Sequence, residues 1–210
     1  MLYEFCAENI TDIEKAMQFG ARRIELCDNL AVGGTTPSYG VIKEAVKLAT
    51  SHQTSIMTMI RPRGGDFVYS DLELKIMKTD IEIARLAGSQ GVVFGCLTAT
   101  NEIDRSKMLS LLKESEGLEV VFHMAFDAIS IEKQFEEMDW LIQQGVKRIL
   151  THGGVATKPI QCHLNHLNRL IEHAKQRIEI LPGGGINLQN RDEIASKLGV
   201  NQMHGTKIVF

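Results

Sequence analysis

The chain has 210 residues, 44% of them hydrophobic, a net charge of -3 near neutral pH and four cysteines. That length and hydrophobic content exclude a disordered chain and fit one α/β domain spanning residues 1–210. The charge balance gives no electrostatic footing for nucleic acid or an anionic membrane, and no apolar run approaches the ~20 residues needed to span a bilayer.

The chain opens Met1-Leu2-Tyr3-Glu4, without the basic stretch and apolar segment of a signal peptide. Cys6, Cys27, Cys96 and Cys162 form no CxxC pair. The expectation is a cytoplasmic protein with free thiols. A first strand, Tyr3–Ala7, leads into a helical pattern over Ile10–Phe19 with Asn9 as the expected N-cap. Gly20 then offers a left-handed helix stop before a second strand, Arg23–Cys27. The string Gly33-Gly34-Thr35-Thr36-Pro37-Ser38 separates that strand from a helix over Gly40–Thr50. The third strand, Ser55–Ile60, runs into Arg61-Pro62-Arg63-Gly64-Gly65. Ser70 and Glu73 form a capping-box pattern at the start of a helix over Asp71–Ala87. Strands over Gly91–Cys96 and Glu119–Ala125 flank a helix over Arg105–Glu114. A helix over Ile131–Gln143 stops at Gly145 and is followed by a strand, Arg148–Thr151. The last units are a helix over Cys162–Lys175, a strand over Ile178–Leu181, a helix over Gln189–Lys197 with Asn187 as its expected N-cap, and a strand over Gln202–His204.

Strict alternation implies a parallel sheet with right-handed crossovers. Eight strands, with no GxGxxG after the first, favour a TIM-type (β/α)8 barrel over an open sheet. The sequence stops at Phe210 with no eighth helical pattern. A barrel lacking that helix would carry an apolar groove beside its first and last strands. A second subunit would cover it, so a homodimer or higher homo-oligomer is expected.

Polar residues gather at the C-terminal strand ends, where β/α barrels place their sites. Side-chain alternation puts Glu25, Arg61, His123 and His204 together at the interior mouth, with Glu8, Arg63 and His152 as further candidate ligand-binding groups. Glu25 and Arg61 are expected to pair, and His123 to serve as a general acid or base oriented by Asp127. A structural ion network is the alternative reading, but four ionisable residues from four strands favour a pocket. The Gly183-Gly184-Gly185 loop ahead of a helix has the form of a phosphate cradle, or of a tight turn. Cys6 and Cys27 end neighbouring strands, which lie about 4.8 Å apart. Two such thiols suit a soft ion such as Cu(I), or pack as small hydrophobes. Cys162, His163, His166 and His173 fall beside an apolar helix stripe and read as a solvated face.

These strings together resemble the CutC family of copper homeostasis proteins. The resemblance is carried by Glu4-Phe5-Cys6, Arg23-Ile24-Glu25-Leu26-Cys27, Gly33 to Ser38, Met59 to Gly65, Phe122 to Asp127, Leu150 to Gly154 and Pro182 to Ile186, in order along nearly the whole chain. It implies a cytoplasmic β/α barrel, a homo-oligomer, and association with a copper ion through Cys6 and Cys27. Two functional readings follow. One is a protein that binds or handles Cu(I). The other is a barrel enzyme acting on a small anionic metabolite, such as a phosphorylated one, which accounts for Arg61, Arg63 and the glycines.

Overall fold

A computed structural model describes residues 1–210. Eight strands alternate with seven α-helices: β1 (Leu2–Glu8), α1 (Ile13–Gln18), β2 (Arg23–Cys27), α2 (Tyr39–Ser51), β3 (Ser55–Met59), α3 (Asp71–Ala87), β4 (Gly91–Phe94), α4 (Arg105–Glu114), β5 (Glu119–Phe122), α5 (Ile131–Gln143), β6 (Arg148–Thr151), α6 (Leu164–Ala174), β7 (Glu179–Pro182), α7 (Arg191–Leu198) and β8 (Gln202–Gly205). All neighbouring strands pair in parallel, in the order β7-β6-β5-β4-β3-β2-β1-β8. The ring is nearly closed. At the β7/β8 seam, Gln202 Nε2 donates to Glu179 Oε2 at 3.2 Å, and the Leu188 N–H donates to the Lys207 carbonyl at 2.8 Å.

Alternation divides the strand residues into two environments. Ile24, Leu26, Ile56, Phe94 and Phe122 point outward and are buried in the cores shared with the helices. Cys6, Cys27, Met57, Met59, Val93, Val121, Leu150 and Leu181 fill the barrel interior. Gly91 makes room there: a Cβ would lie 2.1 Å from Met57 Cε. Toward the N-terminal strand ends the interior turns ionic. Arg23 pairs with Glu4 and donates to Gln202 Oε1 at 2.7 Å, while Arg148 reaches Glu119 at 2.7 Å and Glu179 at 2.6 Å.

The Ser70–Glu73 capping box forms as expected, and Gly88 closes α3 in the left-handed conformation. Neither expected asparagine cap lies directly at its helix. Asn9 takes φ 53 and donates to Asp28 Oδ1 at 3.0 Å, so α1 begins only after Asp12. Asn187 accepts from the Gln189 and Asn190 N–H groups, capping a turn that ends before Arg191. The expected groove beside β1 and β8 is filled by the chain itself. Ile208 and Val209 are buried, and the Phe210 ring lies 5.5 Å from Phe5 and 5.9 Å from Phe19 with Lys15 Nζ over its face. No helix is long and apolar enough to cross a membrane.

Candidate functional site at the barrel mouth

Register builds the first half of the site. Cys6 lies opposite Glu25 and Glu8 opposite Cys27 across β1/β2, while Glu4 lies opposite His204 across β1/β8. Cys6 Sγ is 3.3 Å and Cys27 Sγ 3.7 Å from Glu25 Oε2. The two sulfurs and a Glu25 oxygen all lie within 4.8 Å of one another. His204 Nδ1 is 2.7 Å from Glu4 Oε1, and its Nε2 is 3.7 Å from Glu25 Oε2. Two glycines permit this packing. A Cβ on Gly34 would lie 3.1 Å from Cys27 Sγ, at a φ of +87 that disfavours any side chain, and one on Gly183 would lie 3.1 Å from His204 Cδ2.

Mutual contacts set the protonation of this cluster. The neighbouring Cys27 thiol, together with His204, prevails over burial and brings the Cys6 pKa down to about 5. Cys27 moves the other way, pushed up first by Cys6 and then by burial. Burial also pushes Glu25 up. Burial opposes a charge on His204, but Glu25, Cys6 and Glu4 outweigh it and raise the imidazole pKa. Burial likewise opposes ionisation of Glu4, yet Arg23 and His204 hold that carboxyl at about 2.

Arg61, Phe67 and His123 form the opposite half. The expected Glu25–Arg61 ion pair does not form. Arg61 Nη1 instead donates to the Val32 and Gly34 carbonyls at 2.8 and 3.0 Å, and Nη2 to the Gly65 carbonyl at 2.8 Å. Its guanidinium carbon lies 5.0 Å from the Phe67 ring centre, and the His123 ring stacks 4.9 Å from that same ring. His123 Nδ1 accepts from the Ala125 N–H at 3.3 Å, and Nε2 has no partner. Both halves line one cavity of about 460 Å³, floored by Met59 and Leu150 and rimmed by Gly184, Gly185, Thr206 and Lys207. The Gly184 and Gly185 amides donate to no acceptor within the chain.

Other expected site residues make their contacts outside this cavity. Asp127 does not orient His123, because the chain turns into a short 3-10 segment over Met124–Ala128 and breaks the strand alternation. Its carboxylate accepts from Thr151 Oγ1 at 2.5 Å and from the His152 and Gly153 N–H groups at 2.8 and 3.0 Å, anchoring the end of β6. His152 is tied to the Gly183, Gly184 and Lys158 carbonyls. Glu8 accepts the Leu30 N–H at 2.6 Å, and Arg63 pairs with Glu73 at 2.5 Å and Asp66 at 3.0 Å. None of these four lines the cavity. Gly183 packs below it and donates to the Thr151 carbonyl. The glycine loop does not open directly onto a helix, since the Asn187 turn intervenes before α7. His166 and His173 do not face solvent freely; they meet Gln134 and Asp139 of α5 at 2.6 and 3.0 Å. Sequence reasoning missed Glu4, Phe67 and Lys207. Glu4 was detectable as the residue two before Cys6 on the same strand face, whereas loop residues such as Phe67 carry no periodic signal.

The model of the CutC family matches residues 1–209. A CutC family protein of Enterococcus faecalis is 56% identical over 209 residues, covering 100% of both chains. The human copper homeostasis protein cutC homolog is 42% identical over 203 residues, covering 97% of this chain and 72% of the human one. A crystal structure designated as the copper homeostasis protein CutC of Streptococcus agalactiae superposes with a TM-score of 0.96 at 49% identity, covering 99% of each chain. On sequence along its whole length and on the course of its backbone, the chain belongs to the CutC family.

Proposed function

We propose that the protein binds and handles Cu(I) in a reducing cytoplasm, with Cys6 and Cys27 as the ligands. The observation that carries this reading is the approach of two cysteine sulfurs and a Glu25 oxygen to within 4.8 Å at the inner end of an open cavity. Soft thiolates select a soft, low-coordinate ion, and Cys6 is already biased toward the thiolate by its neighbours. Cys27 is fully buried while Cys6 lines the cavity, so an ion would enter on the Cys6 side. Cys27, whose thiol is held protonated by its neighbours, must release that proton when metal binds, so binding by both sulfurs is expected to strengthen with rising pH.

The test is anaerobic Cu(I) titration against a competing chelator, on the parent chain and on Cys6→Ser/Cys27→Ser. Tight binding of one ion per chain is expected, lost in the double variant and kept in Cys162→Ser, whose cysteine is exposed. Equal binding by the parent and the double variant would eliminate the site.

A further inference from the structure

Three arginines are buried in this molecule: Arg23, Arg61 and Arg148. Arg23 pairs with Glu4, and Arg148 with Glu119 and Glu179. Arg61, only 4% exposed, has no carboxylate partner. Its three hydrogen bonds go to neutral carbonyls, and Asp66 on the same loop pairs with Arg63 instead. A buried full charge without a counter-charge is costly, and proteins retain one where a ligand supplies the opposite sign. Two neighbours point the same way. His123 keeps its Nδ1 occupied as an acceptor, which leaves Nε2 as a buried N–H donor without an acceptor. Lys207 adds an unpaired cation at the rim. Across the same cavity, Glu25 Oε1 is also buried without a partner. A hydroxyl group answers that atom whether the carboxyl is ionised or protonated, because it both donates and accepts.

We infer that the cavity binds a small hydroxylated oxyanion, a phosphate ester or a carboxylate, with its anionic group on the Arg61–His123 side and a hydroxyl toward Glu25. A volume of about 460 Å³ suits a metabolite of this size, and the apolar floor of Met59 and Leu150 accommodates a short carbon chain between the two ends. Phe67, packed against both Arg61 and His123, screens the anion end from water and strengthens its electrostatics. The recognition groups are distinct from the two sulfurs, so the inference does not rest on copper binding.

The experiment is methyl NMR on the metal-free parent chain, titrated separately with glycerol phosphate, glycerate, inorganic phosphate and glycerol. Met59 floors the cavity and Met124 lines it, while Met77 and Met108 lie in the helix-side core and serve as internal controls. Saturable shifts of Met59 and Met124 are expected with glycerol phosphate or glycerate at millimolar concentration, weaker shifts with phosphate, and none with glycerol. Whichever of the first two binds more tightly identifies the oxyanion as phosphate or carboxylate. Arg61→Met and His123→Phe should each weaken binding by about tenfold or more, the scale of a lost charge-assisted hydrogen bond. The inference is overturned if neither anionic polyol moves the two methyls, if glycerol moves them equally, or if Arg61→Met binds as the parent does. Should Arg61→Met fail to fold, the glycerol comparison on the parent chain still decides.

Discussion

His123 offers a sharp test of how dry the barrel mouth is. Burial first, and then the Arg61 charge, lower its pKa from 6.5 to about 3. A folded pKa below the unfolded one means that the unfolded chain takes up the proton first as pH falls. Stability is therefore lost with acidification through the window between 6.5 and about 3, and none of this loss occurs above it. Inside the window the slope is about 1.4 kcal/mol per pH unit, so His123 alone should cost roughly 3 kcal/mol between about pH 7 and about pH 4. The control is His123→Phe. It removes the titrating ring and the bond from Ala125 N–H, whose loss of about 1 kcal/mol does not depend on pH. Urea unfolding of both proteins across that range supplies the assay. The expected result is a parent curve that falls more steeply than the variant curve by roughly 3 kcal/mol, with the two running parallel above neutrality. Parallel curves throughout would mean that the imidazole protonates freely in the native state. That outcome would refute the description of the Arg61–His123 wall as water-excluded.

Two further perturbations probe the interior. Arg23→Met leaves the buried Glu4 with His204 as its one charged partner and is expected to destabilise by about 2–4 kcal/mol in chemical denaturation, with Glu4→Gln/Arg23→Met recovering part of the loss; no recovery would mean that Arg23 acts through packing rather than charge. Gly34→Ala combines a left-handed backbone with a contact on Cys27 Sγ, so it should cost about 1–2 kcal/mol in stability and also weaken Cu(I) in the chelator competition. A stability loss with unchanged Cu(I) affinity would separate Cys27 from the ion.

The parts of this protein that were legible in its sequence are those governed by periodicity. The strand Arg23–Cys27 and the helix Asp71–Ala87 have their observed limits because alternating or helical patterns end in recognisable caps. The mouth membership of Glu25, Arg61, His123 and His204 follows from the same alternation. What alternation cannot report is which polar group satisfies which. Arg61 turned to loop carbonyls because the Gly33–Gly34 segment folds over it, and Asp127 turned to the β6 backbone because a 3-10 turn intervened after His123. Both outcomes depend on loop conformation, for which the sequence carries only glycine and proline punctuation. The tail over β1 was misread for a related reason. Ile208, Val209 and Phe210 are too short a run to display a period, yet long enough to fill a groove.

The interior of the barrel contains charge at both ends, and the two ends differ in how that charge is paired. At the N-terminal end Arg23 and Arg148 face the carboxylates that neutralise them, so removing either partner would harm folding, although Arg148 Nη1 itself has no partner. At the C-terminal end Arg61 has no counter-charge, and His123 Nε2 and Glu25 Oε1 have no hydrogen-bond partner. Both layers look alike in a strand pattern, as alternating polar residues facing inward. Only the pairing distinguishes them. A structural ion network lowers its free energy by neutralising its own charges, whereas this mouth leaves the buried Arg61 cation without a counter-charge and Arg61 Nε, His123 Nε2 and Glu25 Oε1 without partners. The sulfur pair follows the same logic with softer atoms, since Cys6 and Cys27 are held near each other without the bond that would make them inert.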